Sequence, residues 1–351
     1  MLHAPIVANV QELDRYSRQI IFPGIGPEGQ RRLTAGFAVV VGCGALGTVI
    51  AAVLVRAGVG RVRIIDRDFI EIHNLQRQVL FTERDIADNL PKAEAAERHL
   101  REANAQVEVE GVVADFSRTN AEKLAAGADV IVDGLDNFET RFLINDVSLK
   151  FGIPWVYGGA IGSTGMTATF LPSEPPCFRC VLRSAPVGGT LTCDTAGVVN
   201  AAPWIIGAMQ AAEALKILIG DEALAPVSRD LVVMDLWQRS FEALPLAGFA
   251  DPDCPACHGT YESLEGKPRT RVTSLCGQNA VQIWDTASTG MPLRQIEERL
   301  RVLGPVESSA HMLRFPVGEQ ELVVFYDGRT IVRGTRDEKL ARALYAKYIG
   351  A

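Results

Sequence analysis

Histidine is scarce in this chain, with five residues in 351 and none in an obvious pair. An oxidoreductase usually relies on a His or Tyr acid–base group, so the scarcity weighs against hydride transfer. A strong excess of one charge is also missing. The net charge of -7, with 22% charged residues, argues against a nucleic-acid or anionic-membrane surface as the main partner. No internal repeat and no low-complexity tract interrupts the chain. The opening residues lack a basic stretch followed by a long apolar run, so no secretory leader is expected. The most apolar stretch, Ala196–Ile219, contains Asn200, Pro203, Gly207, Glu213 and Lys216. It therefore reads as a core helix, kinked at Pro203, and not as a membrane span. A disulfide framework is equally disfavoured: the seven cysteines are odd in number and four of them form two C-x-x-C pairs, a pattern that favours metal. A cytoplasmic protein is expected.

What is present is a 48% hydrophobic chain, long enough for a large core and more than one domain. Its centre is Phe37–Asp66, read as a buried strand, a glycine turn, an apolar helix over Ala45–Ala57 and a second strand ending on an acid. The turn carries Gly42-x-Gly44-x-x-Gly47. The first glycine permits a tight turn, the second lets backbone approach a phosphate, and the third lets helix and strand pack closely. Asp66 is placed to accept hydrogen bonds from a ribose. A nucleotide site follows, at the carboxyl edge of a doubly wound, Rossmann-like, mostly parallel sheet extended by antiparallel strands.

The remaining segments qualify that site. Arg67–Leu90 has no clear period and holds a polar cluster, His73-Asn74-Leu75-Gln76-Arg77-Gln78; so long a connection is usually functional. Pro91 opens a helix with Lys92 in its first turn, where a cation is unfavourable against the helix dipole unless a fixed anion faces it. The strand 129–133 leads to Asp136 and Asn137, which either meet the nucleotide and its metal or cap the helix over Phe138–Lys150. Arg77, Lys92 and Asp136 together supply phosphate-binding cations and a carboxylate for Mg2+, which favours ATP over a dinucleotide. Cys177/Cys180 and Cys254/Cys257 suit a closed, tetrahedral, structural Zn2+ site. Two domains are expected, 1–260 and 261–351. The second reads as a small α+β unit with a hairpin turn at Asp327-Gly328; it carries 13 Lys+Arg and 11 Asp+Glu, about +2 against about -9 for the first.

The ordered set Arg15-Tyr-Ser-Arg18-Gln19-Ile20, the glycine motif, Asp66, Asn74-Leu-x-Arg77-Gln78, Pro91-Lys92 and Asp136-Asn137-x-x-Thr140-Arg141 resembles the ubiquitin-activating-enzyme superfamily. The cysteine pairs and Thr192-Cys193-x-x-Ala196-Gly197 are similar to its bacterial ThiF/MoeB branch, over residues 10–258, and the tail resembles an extension of some thiamin-branch members. The resemblance implies an adenylyltransferase acting on the C-terminal Gly-Gly carboxylate of a ubiquitin-fold sulfur carrier in thiamin or molybdopterin synthesis. It implies that Gly42, Gly44 and Gly47 cradle the ATP phosphates and Asp66 binds the ribose. Asn74, Arg77 and Lys92 would hold the triphosphate with Gln78 beside them, and Asp136 would hold Mg2+ next to Asn137. Arg18 would reach into the site of a second copy in a homodimer, and a sulfur-donor protein would act later. Cys193 matches a cysteine that links covalently to the carrier in some relatives. Ala45, where many relatives have glycine, and His73, where serine is common, depart from the pattern.

Overall fold

Every residue of FAVVV, Phe37–Val41, is apolar and buried. A strand apolar on both faces belongs inside a parallel sheet covered on both sides. In the computed structural model of the chain, this strand (β1) is third in an eight-stranded sheet. The structure describes residues 14–172, 174–184, 196–223, 225–266, 271–275, 279–284, 293–308, 312–325 and 329–349. Two compact units are present, Met1–Glu265 and Gly266–Ala351.

The first unit opens with α1 (Ser17–Ile21) and α2 (Gly26–Ala35), then runs through β1, α3 (Gly47–Ala57) and β2 (Arg61–Asp66). The connection after β2 holds a 3-10 turn at Ile72–Asn74 and α4 (Glu83–Ala87). Next come α5 (Lys92–Ala103), β3 (Glu108–Val113), α6 (Ala121–Ala125), β4 (Val130–Asp133), α7 (Phe138–Phe151), β5 (Trp155–Ile161) and β6 (Thr164–Phe170). The unit closes with α8 (Phe178–Val181), α9 (Ala201–Ile219), β7 (Asp230–Asp235), β8 (Ser240–Pro245) and α10 (Glu262–Glu265).

The sheet order is β3-β2-β1-β4-β5-β6-β7-β8. The strands from β3 to β5 pair in parallel, and β6, β7 and β8 add antiparallel. The chain winds outward from β1 to β3 and then returns to β4 on the other side of β1. That reversal opens a crevice beyond the carboxyl ends of β1 and β4, where ligands of open α/β sheets bind. Alternate residues of β1 feed two cores. Ala38 and Val40 pack with Ile50 and Leu54 of α3, Ala96 and Leu100 of α5, and Ile206 and Ala214 of α9. Phe37, Val39 and Val41 pack with Phe142, Ile144 and Val147 of α7 and with Trp155.

Two local expectations shift. α3 begins at Gly47 and not at Ala45, because 43–46 are used by the turn itself. α9 carries no kink at Pro203, because the proline sits in the first turn, where its missing N–H has no helical partner to lose. Among the described residues α9 alone is long and apolar enough to cross a membrane, and half of its most apolar window is buried. It packs against α3, β4, β5 and β6.

The buried pair Asp133–Arg141 locks the end of β4 to α7 at 2.9 Å. Arg141 also donates to the carbonyls of Leu135 at 2.6 Å and Gly158 at 2.7 Å. Burial works against the guanidinium's charge, but Asp133 outweighs it and holds its pKa above the ordinary value.

The second unit contains β9 (Arg271–Leu275), β10 (Ala280–Trp284), α11 (Leu293–Arg301), β11 (Glu307–Ser308), β12 (Met312–Val317), β13 (Gln320–Phe325), β14 (Arg329–Arg333) and α12 (Glu338–Tyr348). Its six strands form an antiparallel sheet in the order β11-β12-β13-β14-β10-β9. Ile296 and Leu300 of α11 and Ala341 and Tyr345 of α12 close its core over Val281, Leu322 and Val332. The Asp327-Gly328 turn lies outside the described residues.

Arg141→Met would leave Asp133 buried without its partner. The expected cost is roughly 3–5 kcal/mol, read as a lower urea midpoint for the first unit; an unchanged midpoint would refute this account of the lock.

Candidate nucleotide site

The glycine turn is fixed by contacts that leave no room for side chains at two of its three glycines. Gly42 adopts φ 92°, and a Cβ there would lie 2.7 Å from the Gly134 carbonyl oxygen. A Cβ on Gly47 would collide with the Gly42 carbonyl oxygen. These contacts draw the ends of β1 and β4 together at the crevice. Gly44 is different: a Cβ there would meet only Gly134 O at 3.8 Å and Gln78 Nε2 at 4.0 Å, ordinary contact distances. The protein itself gives no steric reason for glycine at 44, so the clearance suits something that approaches from outside.

Asp66 is tied to that turn. Its Oδ2 accepts from Cys43 N at 2.6 Å, and its Oδ1 from Asp68 N at 2.7 Å. Each oxygen keeps a further acceptor position. Burial pushes the Asp66 carboxyl up, Lys92 opposes this, and Asp68 adds to it. Cys43 is buried in the turn, and burial beside Asp66 pushes its thiol well up, so it serves as a small inert side chain.

Lys92 does face a fixed anion, and the nearest is Asp68, a residue that sequence reasoning did not select. Nζ lies 3.3 Å from Asp68 Oδ2, on a side chain only 8% exposed. The main chain repeats the clasp, since Lys92 N donates to Asp68 O at 2.8 Å. Burial alone would lower the ammonium's pKa, but Asp68, Asp66 and Asp136 together hold it above its ordinary value, so it stays charged. Arg67 joins the cluster, 3.1 Å from Asp115 and 3.7 Å from Asp68. It too is held above its ordinary value against burial, by Asp115, Asp68 and Asp136. The signal for Asp68 was local: an acid two residues past Asp66, leaving the same strand toward the same edge.

The polar connection lies beside the glycine turn. Asn74 is buried, and its Oδ1 accepts from Glu71 N at 3.0 Å while its carbonyl accepts from Arg77 N and Gln78 N. Gln78 is buried with Oε1 unpartnered beside the Gly44 turn. The Arg77 guanidinium rests on the His73 carbonyl at 2.7 Å. Asp136 is exposed just past β4, and its charge is felt by Lys92 and Arg67. Asn137 caps α7, accepting from Thr140 N at 3.0 Å.

Thus Gly42, Gly44, Gly47, Asp66, Asn74, Arg77, Gln78, Lys92, Asp136 and Asn137 share one edge of the sheet. Arg18 does not join them. Its helix α1 sits at the other end of α3, where Gln19 Nε2 donates to Ala57 O at 2.9 Å and Tyr16 covers Gly58. An 11-residue helix puts about 16 Å between that end and the glycine turn. Arg18 is exposed. Cys193 and Cys276 lie outside the described residues.

The four paired cysteines converge away from the nucleotide edge. Their sulfurs all lie within 4.8 Å of one another, with Cys177–Cys180 at 3.8 Å, Cys177–Cys254 at 3.7 Å and Cys180–Cys257 at 3.6 Å. A tetrahedron with metal–sulfur bonds of 2.3 Å has edges of about 3.8 Å, so the donor set fits a thiolate-bound metal. α7 ties down the first pair and the chain that follows the second. Asn145 Oδ1 accepts from Phe178 N at 2.9 Å, and Asp146 Oδ2 accepts from Ser263 N at 2.7 Å.

These features define an α/β protein with a glycine-turn crevice suited to a nucleotide and a four-cysteine cluster that fits a metal. Comparison with known proteins gives the family. The ThiF family model matches residues 16–256, and the chain belongs to that family. It is 42% identical over 339 residues to the sulfur carrier protein ThiS adenylyltransferase of Bacillus subtilis (strain 168), covering 96% of this chain and 99% of that one. It is 43% identical over 256 residues to the SAMP-activating enzyme E1 of Haloferax volcanii, covering 72% of this chain and 92% of the relative. E. coli MccB, solved with ATP, shares the fold with a TM-score of 0.59 at 22% identity, over 70% of this chain and 74% of that one.

Gly44→Ala should leave the thermal midpoint within about 2 °C, since the protein has room for the methyl. It should weaken nucleotide binding by about tenfold or more, measured by calorimetric titration. Equal affinity would mean that nothing approaches position 44.

Proposed function

We propose that this protein is an ATP-dependent adenylyltransferase that activates the C-terminal Gly-Gly carboxylate of a ubiquitin-fold sulfur-carrier protein. One observation carries the reading: a buried, charged lysine held by acids at the crevice, beside a glycine turn with clearance at Gly44. A dinucleotide that is recycled has no need of that lysine; a triphosphate whose charge builds during reaction does. The similarity to a ThiS adenylyltransferase over nearly the whole chain supports a sulfur carrier as substrate and the thiamin branch as pathway.

In the proposed reaction a carrier carboxylate oxygen attacks the α-phosphorus of ATP. The bond from that phosphorus to the bridging oxygen breaks, and pyrophosphate leaves with the electron pair. The product is an acyl-adenylate, ready for sulfur transfer from a donor protein. Backbone at Gly42–Gly47 would line the phosphates, and Asp66 would accept from the ribose hydroxyls. Asn74, Arg77, Gln78 and Lys92 would face the triphosphate, with Lys92 and Arg77 meeting the charge that develops on the leaving group. Asp136, with Asn137 beside it, would hold Mg2+, which when bound neutralises part of the phosphate charge. Arg18 would act in a neighbouring copy's site. Its position at the far end of α3 supports this, because it lies too far from its own glycine turn. The molecule would then be a homodimer with shared sites, working in the cytoplasm. Cys177, Cys180, Cys254 and Cys257 would hold a structural Zn2+; the sulfur spacing and a set of four thiolates, which fills a tetrahedron, support a closed site. After adenylation Cys193 would accept the carrier, its thiolate attacking the acyl-adenylate carbonyl and releasing AMP, or would carry a sulfane sulfur received from a persulfide of the donor protein.

ATP–pyrophosphate exchange should depend on a carrier ending in Gly-Gly. Lys92→Ala should lower it by about 10²–10³, and Cys193→Ala should retain it while losing any covalent carrier adduct. Absence of exchange with every such carrier would overturn the reading. Metal analysis of the purified protein should give about one zinc per chain. Cys180→Ser should lose the metal and lower the melting temperature; a metal-free native protein of equal stability would overturn the zinc assignment.

A further inference from the structure

Helix α9 meets the nucleotide edge at three successive steps along one side. Trp204, Gly207 and Gln210 recur every three residues, which keeps them on neighbouring positions of one helix face. Gln210 Nε2 donates to the carbonyls of Asp133 at 2.8 Å and Val156 at 3.2 Å, under the strand end that leads to Asp136. A Cβ at Gly207 would lie 2.9 Å from the Leu46 carbonyl oxygen, so α9 rests directly against the start of α3. Trp204 Nε1 donates to the main-chain carbonyl of Arg77 at 2.8 Å, across 127 residues of sequence.

The third contact differs from the other two. Gly207 and Gln210 are buried and belong to the packing of the core, whereas Trp204 is half-buried and its indole N–H ends on a single atom of the polar connection. The other ties of Arg77 are internal to that connection: its N–H to Asn74 O at 3.0 Å, and its guanidinium to His73 O at 2.7 Å. Among the described residues, the indole makes the one hydrogen bond that reaches Arg77 from outside it.

We infer that Trp204 is a positioning residue for Arg77: its indole N–H anchors the Arg77 backbone to α9 and so sets where the guanidinium meets the nucleotide phosphates. The inference rests on Arg77 being a phosphate ligand, as proposed above. Because α9 also carries the Gly207 and Gln210 contacts, the anchor holds Arg77 in register with the glycine turn and with the end of β4. A phenylalanine at 204 keeps an aromatic ring but cannot donate, and the freed carbonyl of Arg77 no longer has a fixed partner.

The test is a double-mutant cycle on the full-length protein. ATP affinity with Mg2+ is measured by calorimetric titration without carrier, and KM for ATP and kcat by carrier-dependent exchange, for wild type, Trp204→Phe, Arg77→Ala and the double variant. Trp204→Phe should weaken ATP about fivefold in both Kd and KM, the size expected for one neutral hydrogen bond, with kcat held within about twofold. In the Arg77→Ala background it should add nothing. A merely structural role would instead lower both backgrounds equally. Additive losses, or wild-type affinity in Trp204→Phe, would overturn the inference. Wild-type affinity in Arg77→Ala would overturn the phosphate role of Arg77 itself, and that outcome is read independently of Trp204.

Discussion

A lysine ammonium almost removed from water is the constraint around which the first unit is arranged. Burying such a charge costs several kcal/mol unless opposite charge is held close. Here the compensation comes from Asp68 at 3.3 Å, with Asp66 and Asp136 adding to it. Each of these groups leaves a different element: Asp66 ends β2, Asp68 lies just beyond, Asp136 follows β4, and Lys92 opens α5. The cluster exists only if β2 and β4 flank β1 with their carboxyl ends level. The parallel registers provide this, with Val41 opposite Ile65 on one side and Asp133 on the other.

The glycines make that arrangement compact. Gly42, Gly47 and Gly134 approach one another so closely that a Cβ on any of them would strike a neighbour's backbone. Just past Gly134, Arg141 gathers Asp133, Leu135 and Gly158 into one buried knot. The edge is therefore close-packed on its protein side. Gly44, with room beside it, and the Arg77 guanidinium, whose one hydrogen bond among the described residues is to His73 O, are the parts left to answer a ligand.

A division also appears between what one chain assembles and what it leaves apart. Ten of the residues selected from sequence share the crevice, whereas Arg18 stands at the opposite end of α3. The four cysteines form a second centre; Asn145 of α7 ties the chain between Cys177 and Cys180, and Asp146 ties Ser263, beyond Cys257. α7 therefore reaches both centres, since Asn137 caps its start just past β4 and its later turns tie the chain around the cysteine pairs.

The sequence by itself determined the order of strands and helices, the glycine turn and the residues that gather at the crevice. These are local properties. An apolar run buried on both faces, a glycine forced by a turn, or a cation in the first turn of a helix can be read from neighbours in the chain. It left open what faces Lys92, whether Asn137 caps a helix or only meets a ligand, and how Arg77 is held. Only the tertiary structure decided those. Asp68 reaches Lys92 across 24 residues and Trp204 reaches Arg77 across 127, and no periodicity encodes such partners, because they depend on how strands wind around β1 and not on the spacing of residues along it. The helix expected to bend at Pro203 departs from that expectation for the same kind of reason: it starts at Ala201, so the proline sits in its first turn and has no helical bond to break.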